Sequence, residues 1–381
     1  SLGMFYSMIC KVCGFDPIKG EEWKVMGLAP YGQYDATIYA KLKKILEVDN
    51  NRFVSRHYSI LNVYDELFDM QLEPGRPSID AADIAYNGQL IFSELMTEIL
   101  SQLYDRNISE NLILAGGCAL NSACNGIILD KTPFKQLHVY SAPGDEGNAI
   151  GAALLAYYKD NPTKTPSGTQ MTPYLGERMR PEVIKSCQTF SGLPHKVLSG
   201  KPLYEKVATL LSEGKIIGWV QGRAEFGPRA LGNRSILADP RSVDMKDALN
   251  SRVKFREEFR PFAPSILHEH GDEYFENYQV SPYMERTLRF KQDVWDKVPA
   301  VVHEDKTGRA QSVTREWNEK YYDLISAFND ITGVPLLINT SFNVMGKPIV
   351  HTVEDALSVF FTSGLDVLVI EDMVFEKSDF K

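Results

Sequence analysis

Hydrophobic positions become regular along this chain from Ser78 onward. Ile84, Ile91, Leu95, Ile99 and Leu103 fall four or seven apart, which predicts one apolar face of a long helix, and Asp80-x-x-Asp83 resembles its N-terminal cap. Residues 111–115 (NLILA) read as a buried strand, and Gly116-Gly117 turns that strand into a helix starting near Ala119. Residues 136–140 read as another strand, and Pro143-Gly-Asp-Glu-Gly147 interrupts the chain before an apolar helix over 148–158. Strand, glycine turn and helix, repeated, predict an α/β layout with both turns at one sheet edge.

The regularity is lost over 160–200, where Pro, Thr and Gly predict a linker or interdomain crossing. It returns by Lys201. Leu203, Val207 and Leu210 stripe a helix ended by Gly214, and 215–220 (KIIGWV) is a strand. Tyr321, Ile325 and Phe328 share a helix face ended near Gly333, and a strand follows over 334–338. Thr352-x-x-Asp355 caps a short helix, and a strand over 366–370 closes the sheet. The chain has 381 residues, against roughly 100 to 200 per domain, so two domains are expected. We place them at 1–170 and 201–381, joined by 171–200. Residues 23–32 form a Gly- and Pro-rich turn with no preceding strand, so the first thirty residues read as an interrupted fragment whose true start lies upstream.

Composition narrows the function. No apolar run approaches the roughly 20 residues that cross a bilayer, so no membrane role is expected. The net charge of -9, from 41 basic and 50 acidic side chains, disfavours a nucleic-acid partner. Between Arg223 and Arg260 the balance reverses to +3, leaving -12 elsewhere, which suits a pocket for a compact anion. Five cysteines fit a reducing compartment, the cytoplasm, and Cys10-Lys-Val-Cys13 has no second pair at zinc-site distance.

Five segments could carry chemistry. In 114–121 (LAGGCALN), Gly116 and Gly117 let a ligand approach the backbone and the following helix start attracts phosphate; a plain tight turn is the alternative. In 142–151, Asp145 is either a metal ligand or a helix cap. In 222–235 (GRAEFGPRALGNRS), Arg223, Arg229 and Arg234 are spaced by Gly and Pro. Planar guanidinium forks there suit a phosphoryl or carbamoyl oxygen pair, the alternative being internal pairs with Glu225 and Asp239. In 253–264, Phe255, Phe259 and Phe262 pack while Lys254, Arg256 and Arg260 are presented. In 339–348, Asn339, Ser341 and Asn343 offer short polar groups after a strand, and Arg309 adds a lone guanidinium. The histidines read as loop, packing or capping residues, with His303 a candidate pocket contact. A serine-hydrolase elbow and a P-loop are both absent.

In register and over nearly the whole chain, these segments resemble the O-carbamoyltransferase family, whose members modify antibiotics and nodulation factors. The likeness rests on KVMGLAPYG (24–32), LILAGGCALN (112–121), SAPGDEGNAIGAAL (141–154), WVQGRAEFGPRALGNRSILADPR (219–241), FRPFAP (259–264), GRAQSV (308–313) and TGVPLLINTSFNVMGKPIV (332–350). The resemblance implies a first α/β domain with a partial actin-like, sugar-kinase-like nucleotide-binding fold. It implies an α+β second domain like the threonylcarbamoyl-adenylate synthase fold. The second would join carbamoyl phosphate with ATP as carbamoyl adenylate, and the first would pass the carbamoyl group to a small-molecule hydroxyl acceptor. By position, Gly116, Gly117 and Asn121 would line the adenylate site, and Asp145 would bind a divalent metal (Fe, Mg or Mn). Arg223, Arg229, Asn339 and Asn343 would bind nucleotide, and Lys254, Arg260, Arg309 and Ser341 would act on carbamoyl phosphate. Family members carry a histidine pair ahead of the matched region, so the chain is expected to be a C-terminal portion with an incomplete metal site. A tRNA threonylcarbamoyl-type transferase and a non-catalytic nucleotide-binding fragment are the alternatives.

Overall fold

The structure, a computed structural model, describes residues 1–55, 67, 69–166, 172–344 and 346–380. The chain is a mixed α/β protein that divides into two compact units, Ser1–Gly144 with His303–Asp305, and Asp145–Val302 with Lys306–Lys381. The boundary expected at 170–171 and much of the stretch 56–68 lie outside the described residues.

The first unit is organised by the helix Ala82–Tyr104, whose face carrying Ile91, Phe92, Leu95, Met96 and Leu100 is buried. The helices Leu2–Val12, Glu22–Leu28 and Ala36–Lys43 pack against it. Its start is a single turn, Ser78–Ala81, and Asp83 accepts the Gln33 N–H at 2.9 Å instead of capping. Leu2–Val12 approaches closely at Gly88, where a Cβ would lie 2.6 Å from an Ile9 methyl. Two small sheets complete the unit: antiparallel β1 (Leu46–Asp49) with β2 (Arg52–Ser55), and parallel β3 (Asn111–Ile113) with β4 (Gln136–His138). Both parallel strands are shorter than their apolar runs, because after Leu114 the chain leaves the ladder to build the Gly116-Gly117 turn.

The second unit is built on a nine-stranded sheet. The strands are β5 (Lys196–Val197), β6 (Ile217–Val220), β7 (Arg234–Ala238), β8 (Ala263–Leu267), β9 (Arg286–Arg289), β10 (Thr307–Val313), β11 (Leu336–Ser341), β12 (Val367–Ile370) and β13 (Met373–Glu376). Their spatial order is β5-β13-β12-β6-β7-β11-β8-β10-β9. Only β12 with β6 and β10 with β8 pair in parallel. The buried runs of β6, β7 and β8 explain the sheet's stability, since each large side chain taken out of water contributes about 1.5–3 kcal/mol. The helices Lys201–Ser212 and Glu319–Thr332 pack on each other, and Glu319–Thr332 also rests on β8 and β11. Thr352 and Asp355 form a reciprocal capping box on Val353–Thr362. Within 171–200, a helix over Pro181–Phe190 and strand β5 take part in this unit. The helix Asn148–Asp160 forms where the apolar run predicted it, yet none of its residues is buried. Among the described residues, no helix is long and apolar enough to cross a membrane.

The Gly88 contact sets two effects against each other. Alanine is worth about 0.5–1 kcal/mol more than glycine inside a helix, whereas forcing a methyl into a filled core costs about 1–3 kcal/mol. Overpacking wins at 2.6 Å. Gly88→Ala is expected to lower unfolding stability in urea by about 1 kcal/mol or more, and the loss should shrink in an Ile9→Ala background.

Candidate anion-binding site

The loop that joins β6 to β7 is held open from within. One carboxylate oxygen of Glu225 accepts the backbone N–H groups of Leu231, Asn233 and Arg234 at 2.7, 2.8 and 3.2 Å. The Arg234 guanidinium is fully buried and donates to the carbonyls of Gln221, Asn233, Glu177 and Gly222 at 2.9, 2.9, 3.1 and 3.2 Å. Gly232 sits at φ +101°, where a Cβ would lie 2.2 Å from the Tyr321 ring. Charged side chains therefore serve as the loop's internal frame, and the frame presents Arg229. No hydrogen bond or ion pair to Arg229 exists among the described residues, and burial pushes its guanidinium down to about 10.

Two other segments bring further cations. A π-helical turn over Asn250–Lys254 ends on Phe255 at φ 48°, a left-handed conformation that costs a non-glycine residue about 1–3 kcal/mol. The turn directs the buried Lys254 ammonium into a cage of neutral oxygens: the Ser341 carbonyl and, at 3.2, 3.1 and 2.8 Å, Ser341 Oγ, the Asn343 carbonyl and Asn343 Oδ1. Burial first, then the charges of Arg256 and Arg260, hold Lys254 well below the usual lysine value. Arg256 lies 4.3 Å over the Phe262 ring, and burial, reinforced by Arg260 and opposed by Glu257, pushes it down to about 10. Arg260 pairs with Glu257 at 2.5 Å. On β10, Arg309 is held well below the arginine range by burial, then by Arg229 and Arg256. Its Nε is buried without a hydrogen-bond partner.

Arg229, Lys254, Arg256, Arg260 and Arg309 thus form one electrostatic neighbourhood in which like charges depress one another. Among the described residues, neither Arg229 nor Arg309 has a carboxylate partner. Such an arrangement can take an anion with several oxygens, and the anion would supply the missing opposite charge.

The expected residues sort unevenly. Ser341 and Asn343 join Lys254, with Ser341 Oγ donating to Asn343 Oδ1 at 2.8 Å. Asn339 lies inside the sheet layer, its amide donating to Ala230, Ser265 and Gln311. Arg223 is exposed and donates to the Leu175 carbonyl at 2.9 Å. In the first unit, Gly116 (φ +96°) and Gly117 have no atom within 4 Å of a Cβ position, so their backbone is open to a ligand. The helix expected near Ala119 begins instead at Ser122, because the Asn121 side chain caps it by accepting the Cys124 N–H at 3.0 Å. Asn121 also exchanges hydrogen bonds with Gln89. Asp145 is exposed in the turn Asp145–Gly147, and no three metal-ligating side chains cluster among the described residues. Arg256, presented by the segment 253–264 but given no role by the family resemblance, belongs to the cluster. Its signal was the alternation of Lys254, Arg256 and Arg260 with Phe255, Phe259 and Phe262.

The family profile described as Carbamoyltransferase N-terminus matches residues 1–154, and that described as Carbamoyltransferase C-terminus matches 208–377. An uncharacterised protein of Synechocystis sp., sll1178, is 36% identical over 99% of this chain and 67% of its own length. MJ1058 of Methanocaldococcus jannaschii, also uncharacterised, is 35% identical over 97% of this chain and 61% of its length. Nodulation protein NolO of Bradyrhizobium diazoefficiens is 36% identical over 99% and 69%. The solved structure of full-length HypF in the phosphate- and nucleotide-bound form gives a TM-score of 0.31 at 15% identity, over 64% of this chain and 37% of that one. That likeness is too slight to carry an argument.

The chain belongs to the carbamoyltransferase family. It contains both family regions, which corrects the expectation of a C-terminal portion lacking the N-terminal region: the N-terminal profile begins at residue 1 and runs through the Gly116-Gly117 turn to residue 154. The chain spans 61 to 69% of the length of these three relatives.

Inorganic pyrophosphate should raise the melting temperature, more so at low salt. Arg309→Met should weaken that binding about tenfold or more, yet be as stable as the parent without ligand, since it removes an unpaired charge. Lys254 also sets a pH dependence. Its folded value lies below its unfolded value, near 10.5, so the unfolded chain binds the extra proton between the two. Stability should therefore rise with pH through that window, and Lys254→Met should flatten the rise in urea titrations taken at successive pH values.

Proposed function

We propose that this protein is an ATP-dependent O-carbamoyltransferase whose second unit makes carbamoyl adenylate. The observation that supports this reading best is the cluster of Arg229, Lys254, Arg256, Arg260 and Arg309, in which Arg229 and Arg309 have no carboxylate partner among the described residues. ATP and carbamoyl phosphate are both polyanions, and bringing them together in water is opposed by their charge. A fixed array of guanidinium groups and one ammonium removes that repulsion and needs no reorganisation as charge moves.

The atoms balance in two steps. Water releases phosphate from carbamoyl phosphate and leaves carbamate. A carbamate oxygen then attacks the α-phosphorus of ATP, the bond to the β-phosphate oxygen breaks, and pyrophosphate departs. Arg229 and Arg309 hold the phosphates that leave. Lys254, which donates to Ser341 and Asn343, positions the carbamoyl oxygens, with the Ser341 hydroxyl beside it. In this reading the nine-stranded unit is an adenylate-forming fold of the threonylcarbamoyl-adenylate kind. The first unit is part of an actin-like, sugar-kinase-like fold that transfers the carbamoyl group to a small-molecule hydroxyl at the open Gly116-Gly117 turn.

Pyrophosphate release from ATP should require carbamoyl phosphate. Lys254→Met should slow it by about 100-fold or more, with the fold intact by circular dichroism. Folded wild-type protein that releases no pyrophosphate with both substrates present would end this reading.

A further inference from the structure

Arg229 stands on a stretch whose backbone is loose by composition. Gly227 at φ +126° and Gly232 at φ +101° bracket it, and glycine adopts such conformations without fixing its neighbours. With no partner for its guanidinium among the described residues, Arg229 takes its position from the two residues after it. The Ala230 carbonyl accepts the Asn339 amide at 3.2 Å, and the Leu231 N–H is held by Glu225.

The Leu231 carbonyl is held from two sides. A carbonyl oxygen has two lone pairs, and here two side chains remote in sequence donate to it: the Tyr174 hydroxyl at 2.8 Å and Gln311 Nε2 at 2.9 Å. Each donor is itself fixed. Gln311 is buried, and its Oε1 accepts from the Ser265 hydroxyl at 2.6 Å and the Asn339 amide at 3.0 Å, which leaves Nε2 for Leu231. Tyr174 lies in the stretch expected as a linker. Its hydroxyl accepts from Asn318 Nδ2 at 3.0 Å, and Asn318 also donates to Asn233 and caps the helix Glu319–Thr332 by accepting the Tyr321 N–H. The loop is thus tied to the sheet through Gln311 and to a helix start through Tyr174. Gln311 is two positions from Arg309 on β10, and side chains two apart on a strand share a face. The side chain that grips the Arg229 loop is therefore the strand neighbour of the other guanidinium that has no carboxylate partner among the described residues.

We propose that Gln311 and Tyr174 are positioning residues: by sharing the Leu231 carbonyl they set the separation of Arg229 from Arg309, and that separation selects a phosphate chain over a single phosphate. This rests on the reading of the cluster as a site for nucleotide phosphates. Two guanidinium groups held at a fixed separation can each take one phosphoryl group of a diphosphate without having to be brought together first. A single phosphate engages one of them, so the separation matters little to it. Both residues act through Arg229.

Calorimetric titration of the full chain with inorganic pyrophosphate and, separately, with orthophosphate tests this without ATP or carbamoyl phosphate. Wild-type protein should bind pyrophosphate about tenfold tighter or more. Tyr174→Phe and Gln311→Met nearly keep the volume and remove the donor. Each should weaken pyrophosphate binding about fivefold or more and change orthophosphate binding by less than about twofold. Thr352→Ala, which removes the cap of Val353–Thr362, controls for lost stability and should leave both affinities unchanged. Should Gln311→Met fail to fold because Ser265 and Asn339 lose their acceptor, Tyr174→Phe at a half-buried position carries the test alone. Equal losses for the two anions, or unchanged pyrophosphate affinity in the folded variants, would overturn the positioning role and leave the adenylate reading standing. Equal affinity of the wild type for the two anions, or binding of neither, would overturn it as well. Selective loss in the variants, with no pyrophosphate released by wild-type protein from ATP and carbamoyl phosphate, would overturn the adenylate reading alone.

Discussion

Concentrated positive charge without matching negative charge is unfavourable in a folded protein, and the second unit is arranged to tolerate it. Burial and mutual repulsion both act against Lys254 and Arg309. The surrounding structure over-determines their positions. Glu225 gathers three backbone N–H groups, Arg234 gathers four carbonyls, and the π-helical turn commits Lys254 to the Ser341 and Asn343 oxygens. The sheet supplies the rigidity, because β11, which carries Ser341, is paired on both sides, with β7 and β8, and β10, which carries Arg309, with β8 and β9.

The charged residues of the glycine-rich loop divide into two kinds of work. Glu225 and Arg234 are used up by backbone groups of the loop and of Glu177, and Arg229 is what the loop presents. A guanidinium that satisfies four carbonyls is structural however closely it neighbours a binding site. The same distinction separates Asn339, enclosed among Ser265, Gln311 and Ala230, from Asn343, which faces Lys254. In the first unit it separates Asn121, a helix cap, from Gly117, whose backbone stays open.

Much of the architecture was legible in the sequence because its signals are local. The stripe from Ile84 to Leu103 gave the long helix, Thr352 and Asp355 gave a capping box, and Gly333 ended its helix in the left-handed conformation. Ladder lengths were less legible. Apolar runs at 111–115 and 136–140 exceeded their strands, since hydrophobicity registers burial and a ladder also needs a partner strand. In the other direction, β11 continued through Asn339 and Thr340 to Ser341, because β7 offers a hydrogen-bonding edge as far as Ser235. A polar residue in a central strand is hidden from periodicity. The Pro- and Thr-rich segment before Lys201 likewise looked unstructured, although β5 pairs there with β13 far along the chain.

What the sequence determined by itself was chemical inventory and order: a basic island between Arg223 and Arg260, short polar groups at 339–343, open glycines at 116 and 117, and the run of family segments. What only the tertiary structure decided was which charges meet. Arg229, Lys254 and Arg309 are separated by 25 or more positions along the chain, and sequence spacing carries no information about convergence across strands. Arg223, six residues from Arg229, differs from it in partnering, because its guanidinium donates to the Leu175 carbonyl at the surface. Partnering depends on distances set by the whole sheet, and that sheet exists only once its most remote strands have paired.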